Sequence, residues 1–97
     1  MPRSVTTFET LHSREPSVLI VDDEAAAGQS LGGWFREAGW SVAVARSCQE
    51  AENEVEAGRP DLIVVEEKLD DGCGLELFLR LRDRHAGLSG VVLTRHG

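Results

Sequence analysis

Residues 60–74 read PDLIVVEEKLDDGCG. The apolar, β-branched run from Leu62 to Val65 has the character of a strand buried on both faces, yet it stops at an acid, Glu66. Gly58, Arg59 and Pro60 break the pattern before the run. After it, the stretch from Asp70 to Gly74 turns the chain into a helix carrying Leu75, Phe78, Leu79 and Leu81.

The flanking sequence repeats this plan. Upstream, SVLIVDDE at 17–24 is a second short apolar run closed by acids, again a buried strand. Between Ala25 and Ala38 the residues Ala27, Leu31, Trp34, Phe35 and Ala38 recur at helical spacing, and Gly39 supplies a stop. SVAVA at 41–45 is a strand, and SCQE at 47–50 is a capping box in which Ser47 and Glu50 serve two orphan N–H groups of a helix running to about Ala57. GLSG then leads into VVLT, a fourth strand. The order β-α-β-α-β-α-β, with right-handed crossovers, makes an α/β open parallel sheet with helices on both faces. The paired glycines Gly32 and Gly33 sit mid-helix, where each costs about 1 kcal/mol relative to alanine; close approach by another backbone is one reason, tolerance in a well-packed helix the other.

A chain of 97 residues holds one domain. It carries 17 Asp and Glu against 10 Lys and Arg, a net charge of −7, so its general field repels phosphate backbones and anionic lipid, and direct nucleic-acid binding is not expected. No run approaches the ~18 apolar residues of a membrane span, and the start MPRSVTTFET lacks a secretory pattern. A soluble, cytoplasmic protein is expected. Cys48 and Cys73 show no CxxC spacing and no histidine cluster, which argues against zinc or a disulfide framework.

Ligands of open α/β sheets bind beyond the carboxyl ends of the strands. Asp22 and Asp23 follow the first strand there and Glu66 ends the third. Adjacent strands lie only ~4.8 Å apart, so these carboxylates repel unless a cation or proton intervenes. Oxygen ligands with retained waters suit magnesium, and the backbone carbonyl of Lys68 is a further candidate ligand. Thr94 places a hydroxyl at the same rim. A plainer role is capping of the first helix by Asp23, and Asp71 with Gly72 reads as a solvated turn.

SVLIVDDE, PDLIVVEEKLDDGCGLEL and VVLT together resemble the receiver domain of two-component response regulators, over residues 17–97. The resemblance implies a flavodoxin-like, CheY-like fold with strand order 2-1-3-4. It also implies a magnesium site built on Asp22 and Asp23 with Glu66 and the Lys68 carbonyl, a phosphoacceptor position at Glu66, a switch hydroxyl at Thr94, and a histidine kinase or another regulator as protein partner.

The sequence departs from the family's pattern in two ways. Glu66 stands where the family has aspartate; its extra methylene displaces the carboxylate from in-line geometry, and a 1 Å error can cost ~100-fold in rate. Glu66 then reads as a partial imitation of a phosphorylated aspartate, or as a vestigial acid at a solvent-facing strand end, ahead of a true acceptor. Further, the sequence stops at Gly97, where the family continues through a fifth strand and two more helices, with a lysine after that strand. The expectation is a degenerate receiver: a non-enzymatic phosphorelay signalling module acting through protein contacts. A magnesium-dependent, phosphatase-like site and an inactive fragment of a longer regulator are the alternatives. The leader, 1–16, is expected to be disordered or a short helix bearing Val5, Phe8 and Leu11. An apolar face left bare by four strands points to a homodimer.

Overall fold

The computed structural model describes residues 15–94. The elements are β1 (Ser17–Val21), α1 (Ala25–Glu37), β2 (Ser41–Ala45), α2 (Cys48–Gly58), β3 (Leu62–Glu66), the two-residue strands β4 (Lys68–Leu69) and β5 (Gly72–Cys73), α3 (Gly74–Arg84) and β6 (Ser89–Leu93). Four strands pair in parallel in the order β2-β1-β3-β6, the 2-1-3-4 order expected from the sequence, while β4 and β5 form a small antiparallel hairpin. The expectation for the leader, with Val5, Phe8 and Leu11, lies outside the described residues except at Glu15 and Pro16.

Alternation along each strand splits the core in two. Leu19, Val21, Ile63 and Val65 face α2 and α3, where they meet Ala51, Val55, Leu77 and Leu81. Val18, Ile20 and Val64 face the other way and meet Phe35 of α1. The second face therefore carries one helix, and at its margin Val91 and Leu93 of β6 are 46% and 40% exposed.

The helix faces differ from the sequence reading in instructive ways. On α3 the buried positions are Gly74, Leu77 and Leu81, with Phe78 half-buried, an i, i+3, i+4, i+7 stripe; Leu75 and Leu79 project into solvent. Leu77, not picked out in the sequence, is its centre. On α1 the buried positions are Gly28, Gly32 and Phe35, whereas Trp34 is 63% exposed and packs edge-on against Phe35. A Cβ on Gly28 or Gly32 would stand 3.2 or 3.3 Å from a methyl of Val44 or Val42, so close approach explains these two glycines, and side chains rather than backbone make it. Gly33 has nothing near it.

Ser47 caps α2 as expected, its Oγ accepting from the N–H of Glu50, while the Glu50 carboxylate accepts from Arg46, one residue earlier than the reciprocal bond of a capping box. Helix α2 ends at Arg59 in the left-handed region (φ 46°).

Candidate functional site

Two parallel pairings bring the acids together. The β1–β3 register matches Val21 with Val65, so the next residues, Asp22 and Glu66, leave adjacent strands side by side. Both have the parity of Val18, Ile20 and Val64, and so stand on the face covered by α1. Glu66 also pairs with Leu93 of β6, and the following N–H, of Glu67, donates to the Leu93 carbonyl at 2.8 Å.

Asp22, Glu66 and Thr94 line one open cleft of about 520 Å³, shared with Glu24, Ala27, Leu31 and Leu93. Asp22 and Glu66 are 7% and 6% exposed, so Glu66 is a buried acid rather than a solvent-facing one. Thr94 is exposed at the rim. Asp23 and Lys68 are not among the lining residues: Asp23 is half-buried beside the cleft and Lys68 opens the hairpin.

Asp22 shapes the start of α1. Its Oδ1 accepts the N–H of Glu24 at 2.9 Å, and its own N–H donates to Ala45 at 3.0 Å, which ties the loop to β2. Glu24, not Asp23, occupies the N-cap position. Glu24 is a lining residue that the sequence reading passed over; its place two residues beyond Asp22, at the first turn of a helix that starts on the strand-end face, was the available signal.

Among the described residues no three His, Cys, Asp or Glu side chains gather closely enough to hold a metal ion. Magnesium, however, is commonly held by one or two carboxylates and its own waters, and two buried carboxylates on one cleft fit that requirement.

The loop after Glu66 is fixed at both ends. Gly74 donates its N–H to the Glu67 carbonyl at 2.8 Å, and the backbone passes so close to Glu66 that a Cβ at position 74 would overlap the Glu66 carbonyl oxygen. Asp71, expected to be a solvated turn residue, instead reaches α2: its Oδ1 accepts from the N–H of Cys48 at 2.8 Å and its Oδ2 from that of Gln49 at 3.2 Å. The bond from Cys48 holds the Asp71 carboxyl below the usual carboxylate range, and burial, followed by the charge of Asp71, pushes the Cys48 thiol up to about 11.

The chain is similar to known proteins in sequence and in fold. The sequence profile of the response regulator receiver domain matches residues 18–97. The probable transcriptional regulatory protein TcrX of Mycobacterium tuberculosis is 32% identical over 78 residues, 80% of this chain and 33% of its own length. The acid tolerance regulatory protein ActR of Rhizobium meliloti is 31% identical over 83 residues, covering 86% of this chain and 43% of the relative. The chain thus spans less than half the length of these curated relatives. Among solved structures, a two-component response regulator from Clostridium difficile superposes with a TM-score of 0.80 at 30% identity, covering 86% of this chain and 68% of that one. The non-phosphorylated HemR receiver domain of Leptospira biflexa gives a TM-score of 0.76 at 28% identity, with coverage of 86% and 68%. With a parallel sheet in the order 2-1-3-4, acids at the ends of its two central strands and a family profile over nearly all the described residues, the chain belongs to the response regulator receiver domains of two-component signalling.

Proposed function

We propose that this receiver domain is a degenerate one: a non-enzymatic, cytoplasmic signalling module that works through protein contacts, with Glu66 at the phosphoacceptor position taking up little or no phosphoryl group. The observation that supports this most is Glu66 itself, buried at the end of β3 and sharing the cleft with Asp22 and Thr94. Its carboxylate reaches one methylene further than an aspartate would, so it stands out of register for in-line attack and extends negative charge toward Thr94, the switch hydroxyl. One carboxylate supplies less charge and fewer acceptor oxygens than a phosphoaspartate, so the imitation is partial. In this reading Asp22 and Glu66, with Asp23 and the Lys68 carbonyl, would hold magnesium weakly; when bound it would offset the carboxylate repulsion and orient a phosphoryl donor.

The partner is a histidine kinase or another regulator, and the exposed Val91 and Leu93 of β6 support self-association as a homodimer. Titration with beryllofluoride and magnesium, followed by the amide resonances of Glu66, Leu93 and Thr94, tests the functional reading. Saturable shifts at all three in the wild type at stoichiometric beryllofluoride would refute it; the same shifts only in Glu66→Asp would support it. Light scattering at micromolar concentrations tests the dimer, which a uniform monomer would refute.

A further inference from the structure

The tip of the β4–β5 hairpin is attached to the first turn of α2, far from it in sequence. Each α-helix starts with four N–H groups that lack a partner within the helix. In α2 the first regular helical bond runs from the Ala51 N–H to the Ser47 carbonyl (3.0 Å), and the N–H of Glu50 donates to Ser47 Oγ (3.1 Å). Those of Cys48 and Gln49 donate to the two oxygens of Asp71, which stands 23 and 22 residues further along the chain. Ser47 caps one of these groups and Asp71 two, so the carboxylate of Asp71 both caps α2 and ties the hairpin to it. Two further contacts seat it: Leu69 is buried in the core, and Gly72 lies so near Cys48 that a Cβ there would stand 3.1 Å from Sγ.

The opposite end of the hairpin leads directly from the strand end that carries Glu66. Lys68 follows Glu66 by two residues, and the Gly74 N–H closes the hairpin onto the Glu67 carbonyl. One short segment therefore connects the first turn of α2 with the residues at the end of β3.

We propose that the β4–β5 hairpin is a latch, docked on the first turn of α2 by the Asp71 carboxylate, and that its docking sets the position of the Lys68 carbonyl beside Glu66. Asp71 is a positioning residue: it touches no ligand of the cleft and acts through the hairpin. A protein that displaces Asp71 from α2 loosens the cleft, and by thermodynamic reciprocity a cation held at the cleft favours the docked hairpin. The latch stands on the geometry alone; its coupling to a cation rests on the magnesium reading proposed above.

Amide hydrogen exchange followed by NMR separates these claims. In Asp71→Ala the Gly74 amide, at the far end of the hairpin, should exchange faster by about tenfold or more. In Ser47→Ala, which frays the same helix turn without releasing the hairpin, Gly74 exchange should stay at the wild-type rate. Equal acceleration in the two variants, or none in Asp71→Ala, overturns the latch. Magnesium chloride is the probe for the coupling: it should shift the Asp22 and Glu66 amides and slow Gly74 exchange in the wild type, and slow it less in Asp71→Ala. Shifts at the cleft without any change at Gly74 overturn the coupling and leave the magnesium reading intact. An absence of shifts at the cleft overturns the magnesium reading and the coupling with it, while the latch is still judged by Asp71→Ala against Ser47→Ala.

Discussion

Replacing Gly74 with alanine places one methyl group where the backbone of the strand end already lies. An ideal Cβ at this position would overlap the carbonyl oxygen of Glu66 and stand 3.0 Å from its carbon and 2.9 Å from Cγ2 of Val65. A backbone carbonyl at the end of a paired central strand has no rotamer through which to retreat, so either the start of α3 or the end of β3 must move. Overpacking of this kind costs about 1–3 kcal/mol. The displacement also strains the 2.8 Å bond from the Gly74 N–H to Glu67, worth about 0.5–1.5 kcal/mol. Against this, alanine gains up to about 1 kcal/mol of helix propensity. The net expectation is a loss of about 2–3 kcal/mol, which for a domain of this size lowers the melting temperature by on the order of 10–20 °C. Urea denaturation followed by circular dichroism measures it directly, with an unchanged slope showing that the same surface is exposed. A Gly74→Ala variant within about 0.5 kcal/mol of wild type would refute the claim that the chain must pass this close to Glu66.

The adjacent glycines of α1 should part company: Gly33→Ala, into open space, should stabilise by about 1 kcal/mol, whereas Gly32→Ala, pressed against Val42, should show no gain or lose about 1 kcal/mol in the same urea assay. On α3, Leu77→Ala should cost about 2–5 kcal/mol because the side chain is fully buried, while Leu79→Ala should cost well under half of that. The Cys48 thiol, ordinarily ionising at 9.0, is held neutral to about 11 in the folded protein, so its contribution to stability is complete below pH 9 and disappears as the pH rises through 11. Denaturation midpoints across that interval should fall more steeply for wild type than for Cys48→Ala, and parallel falls would contradict the environment assigned to the thiol.

The strands and their order were legible because alternating apolar runs closed by acids allow few parallel windings, and the structure repeats that order. The meeting of Asp22 with Glu66 followed from the same winding, since residues after adjacent parallel strands must emerge together. Helix faces were harder to read. Counting apolar residues on α3 picks out Leu75, Phe78, Leu79 and Leu81, of which Phe78 and Leu81 do face the core; Gly74 packs under the Glu66 carbonyl, and on that phase Leu77 turns inward while Leu75 and Leu79 turn outward. On α1, Phe35 was legible, but two of the three buried positions are glycines, and a missing side chain leaves no hydrophobic signal to count. Asp71 was illegible for another reason: a carboxylate that caps a helix more than twenty residues away has no local pattern, and its neighbours, Asp70 and Gly72, read as an ordinary turn.

The extra methylene of Glu66 is the feature on which the functional account turns. Wild type and Glu66→Asp should be incubated with acetyl phosphate and magnesium, and the intact masses followed by peptide mapping of residues 60–74. Wild-type Glu66 should carry no phosphoryl adduct, and the aspartate of the variant should carry a measurable one. A stoichiometric phosphoryl group on wild-type Glu66 would contradict this.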